Sequence, residues 1–169
     1  MVSQLTLLVV FPALMAYAAA SDLLTMTIPN RLSLALVVGF AAFAIVGGLS
    51  PQTILLHAGA GLVMLALTFS LFAAGWIGGG DAKLAAATAL WLGFEALPGY
   101  LFFAAIAGGV LTLALLALRF ASLPRFAEGW PWLRRLHDPA EGVPYGIALA
   151  AAALLVYPHS QLVIATFAG

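Results

Sequence analysis

The sequence contains no cysteine and few charged side chains. Charged residues make up 7% of the 169 residues, six basic and six acidic, so the formal net charge is zero. Without cysteine, disulfides, thiol catalysis and cysteine-ligated zinc are excluded, and the even charge balance gives no sign of a nucleic-acid partner or a polybasic patch. Hydrophobic residues, in contrast, make up 64% of the chain, which is more than a water-soluble fold can bury.

Long apolar runs predict an all-α fold, a polytopic membrane bundle of about six transmembrane helices. A hydrocarbon core of ~30 Å needs about 20 apolar residues per helix, so the length leaves room for a single membrane-embedded domain, residues 1–169. Turn-forming residues, among them Leu97-Pro98-Gly99, separate the runs, and Pro158 should kink or end the last one. The predicted spans lie near 3–20, 30–47, 53–74, 82–97, 99–118 and 143–165, with a loop at 119–142.

The first apolar run, Leu5 to Ala20, ends near Ala16-Tyr17-Ala18, which is similar to a signal-peptidase site. However, no Lys or Arg precedes the run and Arg31 follows it. This asymmetry favours a retained first helix with its N-terminus outside the cell.

The basic residues all lie on or beside one predicted face of the bundle, the face that holds residues 21–30, 75–81 and 119–142. Basic loops mark the cytoplasmic side of membrane proteins, so this face is predicted to be cytoplasmic. Trp130 and Trp132 in the 119–142 loop predict a short amphipathic segment lying on that leaflet. The basic residues are Arg31, Lys83, Arg119, Arg125, Arg134 and Arg135.

Two of the six acidic residues, Asp22 and Asp81, lie at span ends on this same face. Ionisable residues beside the membrane interior are costly, and their presence there indicates function. Two carboxylates that meet in a low-dielectric pocket share one proton, so that one can act as a base toward water and the other as an acid toward a carbonyl. This pattern is typical of aspartic proteolysis.

Three glycines, Gly78, Gly79 and Gly80, directly precede Asp81. Without side chains they let another backbone approach the carboxylate, and an extended peptide could pair with such a loop. Structural roles for the acids remain open: Asp81 could cap its helix by accepting from the backbone N–H of Lys83 or Leu84, and Asp22 could be an exposed helix end.

Other candidate residues have weaker cases. Lys83 and Arg31 could support a deprotonated aspartate, but snorkelling and topology marking are the alternatives. The three histidines share no metal-ligand spacing and the serines have no nearby base. The sequence therefore offers neither the ligands of a zinc hydrolase nor the general base of a serine hydrolase. We therefore predict no metal and no cofactor.

Two segments resemble the signature regions of type IV prepilin peptidases, which are aspartic membrane peptidases. The first is Asp22 with Ile28-Pro29-Asn30, and the second is Gly78-Gly79-Gly80-Asp81-Ala82-Lys83-Leu84. Pro144-Tyr145-Gly146 also resembles a family feature. The resemblance implies that Asp22 and Asp81 are the catalytic pair of a Gly-x-Gly-Asp peptidase, and that Pro29, Asn30, Pro144 and Gly146 belong to structural motifs.

The resemblance also implies the partners and the location. The expected substrates are prepilins and pseudopilins, cleaved at the cytoplasmic face of the bacterial inner membrane, with other pilus-assembly proteins as further candidate partners. Larger members carry a cysteine-containing insertion after the first span. Here only Leu23 to Asn30 separates the first two spans, so the chain resembles the minimal form that serves tight-adherence (Flp) pili, and methyl transfer is doubtful.

Two alternatives from other functional classes stay open at this point. A small proton or cation transporter could use Asp22 and Asp81 as a relay, although the sequence shows no inverted repeat. A non-catalytic membrane subunit of a pilus or secretion assembly could use them only as helix caps.

Overall fold

A computed structural model describes residues 2–121 and 129–168, with side chains described for 9–121 and 129–167. Within these ranges the chain forms helices and no strand. A 3₁₀ turn, Tyr157–His159, separates the last two helices. The helices are α1 (Val2–Thr25), α2 (Asn30–Val46), α3 (Pro51–Ala73), α4 (Gly79–Phe120), α5 (Pro131–His137), α6 (Tyr145–Val156) and α7 (Gln161–Ala168).

Several of these helices are long and apolar enough to cross a membrane. Among the described residues, Pro51–Ala73, Gly79–Phe120 and the run Tyr145–Phe167 meet both criteria, and Val9–Thr25 and Asn30–Val46 are shorter apolar helices. The predicted fold class, an all-α polytopic membrane bundle, is confirmed.

Helix α4 is 42 residues long and is interrupted at Gly93, whose backbone has φ +68° and ψ 175°. Before Gly93, α4 runs antiparallel to α3, since the Thr68 hydroxyl donates to the Ala82 carbonyl at 3.1 Å and His57 Nδ1 bonds the Leu90 carbonyl at 2.9 Å. After Gly93 the chain returns, because Thr112 lines the same cavity as the start of α4. Helix α4 therefore supplies two antiparallel segments, 79–92 and 94–120.

The predicted break at Leu97-Pro98-Gly99 is wrong by a few residues. The spans predicted at 82–97 and 99–118 are instead separated at Gly93, while Pro98 lies inside the helical run that follows. Only glycine readily adopts the positive φ of residue 93, and any side chain there would meet the His57 ring at about 3.0 Å.

The last span and the predicted loop agree with expectation in part. Pro158 lies in the 3₁₀ turn between α6 and α7, as its ring and missing N–H predict. The 119–142 segment contains the short helix α5, where the rings of Trp130 and Trp132 stack with centroids 5.9 Å apart. Its position on a leaflet stays a prediction, and Arg125 lies outside the described residues.

Large aromatic side chains pack one half of the bundle, which we call the aromatic end. Trp91 is fully buried and its indole N–H donates to the Leu36 carbonyl at 2.9 Å. It neighbours Leu90, whose carbonyl contacts His57 near the start of α3. The rings packed around Trp91 are those of Phe11, Phe40, Phe43 and Tyr157.

Candidate active site

Asp22 and Asp81 line a single cavity of about 830 Å³ at the opposite end of the bundle, the aspartate end. Their carboxylates are close enough to interact electrostatically. The structure thus brings together two acids that are 59 residues apart in the sequence. Besides them, this aspartate cavity is bordered by Met26, Leu71, the loop 75–78, Thr112, and residues 141–145.

Asp22 lies near the end of α1 and is only 5% exposed, so it is not the exposed helix end that we considered above. Its Oδ2 accepts a hydrogen bond of 2.7 Å from the backbone N–H of Gly146, at the start of α6. A Cβ at position 146 would lie 2.8 Å from that oxygen. Glycine at 146 therefore allows the α6 backbone to come within hydrogen-bonding distance of the carboxylate.

Asp81 is the third residue of α4, and Gly78 is the N-cap. The Asp81 carboxylate accepts a hydrogen bond from the Gly78 backbone, the back-reaching contact of a capping box. The hypothesis that Asp81 itself is the N-cap, accepting from Lys83 or Leu84, is therefore wrong. A negative charge in the first turn also suits the helix dipole, so the helix start orients this carboxylate.

Ile28 joins the three predicted motifs in space. A Cβ on Gly80 would lie 3.2 Å from Ile28 Cβ, and one on Gly146 would lie 2.7 Å from Ile28 Cδ1. Pro29 and Pro144 directly precede α2 and α6 as their N-caps. The side chain of Ile28 thus fills the space that the two glycines leave free, and it separates the start of α4 from the start of α6.

Lys83 and Arg31 do not enter the aspartate cavity. The Lys83 ammonium donates to Asn30 Oδ1 at 2.9 Å, which ties the start of α2 to the start of α4. Arg31 is exposed in the first turn of α2. The structure therefore gives Lys83 and Asn30 a positioning contact, and electrostatic support of the aspartates stays a prediction.

Tyr145, Thr112 and Glu141 also line the cavity, and the sequence did not single out their side chains. The Tyr145 hydroxyl donates to the Ala104 carbonyl at 3.1 Å, and its ring occupies the space left by Gly108. The only sequence signal was the position of Tyr145 between Pro144 and Gly146. Its contacts with α4 are tertiary and could not be read from local pattern.

Arg119 holds the segment that leads to Pro144. Its guanidinium donates to the carbonyls of Leu136, Glu141 and Gly142, each at 2.9 Å. Arg135 donates to the carbonyl of Leu24, two residues after Asp22. Both arginines therefore brace the cavity wall from the side that carries α5.

The chemistry available to this cavity is that of paired carboxylates. Two such groups in one partly enclosed space repel each other when both are ionised, so a singly protonated pair is favoured, with one acid and one base facing the same volume. Within the described ranges no group of three or more His, Asp and Glu side chains has the arrangement to hold a metal ion.

Comparison with known proteins identifies the relatives of this chain. The model of the type IV leader peptidase family matches residues 9–113. A prepilin leader peptidase/N-methyltransferase of Bacillus subtilis (strain 168) is 30% identical over 160 residues, 94% of this chain and 58% of that protein. One of Aeromonas salmonicida (strain A449), with the same description, is 30% identical over 136 residues, 78% of this chain and 41% of that protein.

The chain thus spans about half the length of these curated relatives. No solved structure matches it. The family match covers more than half of the chain and includes both Asp22 and Asp81. The chain belongs to the type IV leader peptidase family.

Proposed function

We propose that the chain is a prepilin leader peptidase, an aspartic endopeptidase that cleaves the leader from type IVb (Flp-type) prepilins and pseudopilins. The single observation that carries this proposal is the common cavity of Asp22 and Asp81, each carboxylate held by a backbone contact at a glycine. Family membership supports the same reaction class.

In the proposed mechanism, one carboxylate of the pair is ionised and takes a proton from water as the water oxygen attacks the scissile carbonyl carbon. The protonated carboxyl donates its proton to the carbonyl oxygen. Collapse of the tetrahedral intermediate breaks the C–N bond, and the departing amine takes up a proton from the pair. This route needs no metal and no cofactor.

Of the three glycines predicted to form the approach loop, only Gly78 borders the aspartate cavity. Gly79 and Gly80 form the first turn of α4, and their free faces lie against Phe72 and Ile28, so they leave no open edge for strand pairing. The substrate's peptide bond is proposed to enter between the loop 75–78 and the 141–145 segment, which both line the cavity.

The short connection between α1 and α2 favours the minimal, Flp-type form of the enzyme. Only residues 26–29 separate these helices, and the chain has no cysteine for a metal-binding insertion. We propose leader cleavage as the activity of this chain. The methyltransferase part of the relatives' description is not carried over.

The positions of the basic residues support an inner-membrane location with the aspartate end at the cytoplasmic face. Lys83 contacts Asn30, Arg119 contacts residues 136–142, and Arg135 contacts Leu24, all at the aspartate end. By the positive-inside rule this end faces the cytoplasm, which puts the N-terminus outside.

Coexpression with candidate Flp-type prepilins tests the function. We expect wild type to shorten the prepilin and Asp22→Asn or Asp81→Asn to slow cleavage at least about a thousandfold, as loss of an essential catalytic group does. Asp138→Asn is the matched control, since Asp138 is exposed and lies outside the cavity. The asparagine also keeps one side-chain oxygen that can accept from the Ala140 N–H. Wild-type rates in both active-site variants would refute the assignment.

A further inference from the structure

A second, smaller cavity of about 270 Å³ opens beside the aspartate cavity, between α3 and the 94–120 segment of α4. The two cavities share Leu71, Ile77, Asp81 and Tyr145. We call this second cavity the membrane cleft. Its apolar lining includes Leu67, Leu71, Ile77, Leu101, Ala104 and Ala105.

The rim of the membrane cleft faces outward and its floor is buried. Leu67 is 50% exposed and Leu101 is 44% exposed, whereas Ala104 is only 4% exposed. The hydroxyl of Thr68 on the floor already donates to the carbonyls of Met64 and Ala82. Apart from Asp81 and the tyrosines, the cleft therefore presents apolar surface, on helices apolar enough to span a membrane.

A second apolar groove on α3 provides the comparison. It has a volume of about 490 Å³, lies between α2, α3 and the 79–92 segment, and is lined by Leu34, Val37, Leu62, Leu65 and Ala86 among others. Although larger, it reaches neither aspartate, and Lys83 at its edge is bonded to Asn30. Apolar lining alone therefore does not single out a docking site, whereas continuity with Asp81 does.

We propose that the apolar helix of the substrate docks across the membrane cleft from the bilayer side and places the bond to be cut at Asp81. The inference rests on the proposed peptidase function and names the surface that selects the substrate. The cleft is too small to enclose a helix, so the helix lies across its mouth and inserts a large apolar side chain between Leu67 and Leu101. Close approach is favoured by the small Ala105 on the rim.

Cysteine cross-linking can test the docking surface directly, because the natural chain contains no cysteine. Leu67→Cys and Leu65→Cys form a matched pair. Both leucines are on α3, about 3 Å apart along the helix axis at a rise of about 1.5 Å per residue. Leu67 lines the membrane cleft, whereas Leu65 lines the other groove. Each is placed in the full chain with Asp81→Asn, and a Flp-type prepilin carries one cysteine in its apolar helix.

We expect the oxidised membranes to contain an enzyme–prepilin disulfide for Leu67→Cys that is at least about tenfold more abundant than for Leu65→Cys, the ratio that ~1.4 kcal/mol produces. Equal yields, a preference for Leu65→Cys, or no disulfide at either position would overturn the proposal. A disulfide between two copies of the enzyme at position 67 would also overturn it, since the cleft would then be a dimer contact.

A kinetic arm separates docking from catalysis. Leu67→Trp should slow cleavage of a membrane-inserted prepilin about tenfold more than cleavage of a short peptide that spans the cleavage junction, and Leu65→Trp should change neither rate. Equal slowing of both substrates would contradict docking at the cleft. Cleavage by wild type and its loss in Asp81→Asn test the peptidase function separately, so the two proposals can fail independently.

Discussion

The aromatic end and the aspartate end of the bundle are held together by different means. At the aromatic end, fully buried Trp91 is surrounded by rings. At the aspartate end, Gly80 and Gly146 lie against Ile28, and hydrogen bonds to backbone groups fix both carboxylates. The comparison indicates that large buried side chains stabilise the bundle at one end, while small residues at the other allow backbones to position reactive groups.

The largest effect is expected from Trp91→Ala, which removes the centre of the aromatic end. Truncation of a buried Trp costs about 3–5 kcal/mol of unfolding free energy, and the Leu36 carbonyl also loses its indole donor. Thermal unfolding in detergent should show a lowered Tm, while activity per folded molecule stays near wild type.

Phe102→Ala is the control for this change, since Phe102 is 61% exposed on the outer surface of α4. We expect little change in Tm. If Trp91→Ala abolished activity in molecules that remain folded, the separation of the two ends would be broken.

Gly146→Ala tests the aspartate end. The new Cβ would lie 2.8 Å from Asp22 Oδ2 and 2.7 Å from Ile28 Cδ1, so the carboxylate has to shift. A misplacement of about 1 Å costs about a hundredfold in rate, and we expect this loss in kcat with little change in Tm. The measurement is single-turnover cleavage of a prepilin.

Gly109→Ala is the matched control, because a Cβ at Gly109 meets nothing within 4 Å. It should keep the wild-type rate. Full activity in Gly146→Ala would show that the Gly146 N–H contact does not position Asp22.

The pH dependence of cleavage sharpens the comparison by reporting only on the aspartate end. At low pH both carboxyls are protonated and the base is lost, whereas at high pH both are ionised and the acid is lost. The rate should therefore fall on each side of an optimum, by about tenfold per pH unit once the limiting group has titrated. A rate that rises or falls in one direction only over the range where the protein stays folded would contradict a shared proton.

The smallest effect is expected from Lys83→Met. The Lys83 to Asn30 hydrogen bond is exposed, and exposed charged contacts contribute at most about 1 kcal/mol. Cleavage should slow by no more than about fivefold. A loss as large as that of Asp81→Asn would instead assign Lys83 to direct support of the aspartates.

The sequence predicted the membrane bundle well because composition and span length are sufficient for it. It placed the chain reversal at Pro98 because proline is the stronger local signal. The chain reverses at Gly93, which packs against His57 of α3. His57 also bonds the Leu90 carbonyl, 33 residues away in the sequence. Such long-range contacts are not visible in local pattern.

The candidate site, too, could be predicted from the sequence only in part. The two aspartates and the glycine loop could be selected because acids beside the membrane are rare and costly. The N–H of Gly146 that holds Asp22, the role of Ile28, and the cavity walls formed by Thr112 and Tyr145 depend on how α6 packs against α1 and α4. Neither residue type nor spacing specifies that packing.

The position of Ile28 has a consequence for how the sequence of this chain can vary. One isoleucine fills the space against Gly80 and Gly146, so the volumes of these three residues are coupled although they lie in three separate motifs. A methyl group added at position 146 would lie 2.7 Å from Ile28 Cδ1, so it should be better tolerated when residue 28 is shortened to valine or alanine. Compensating changes of this kind would show whether the spacing between the start of α4 and α6 is constrained, rather than any one side chain.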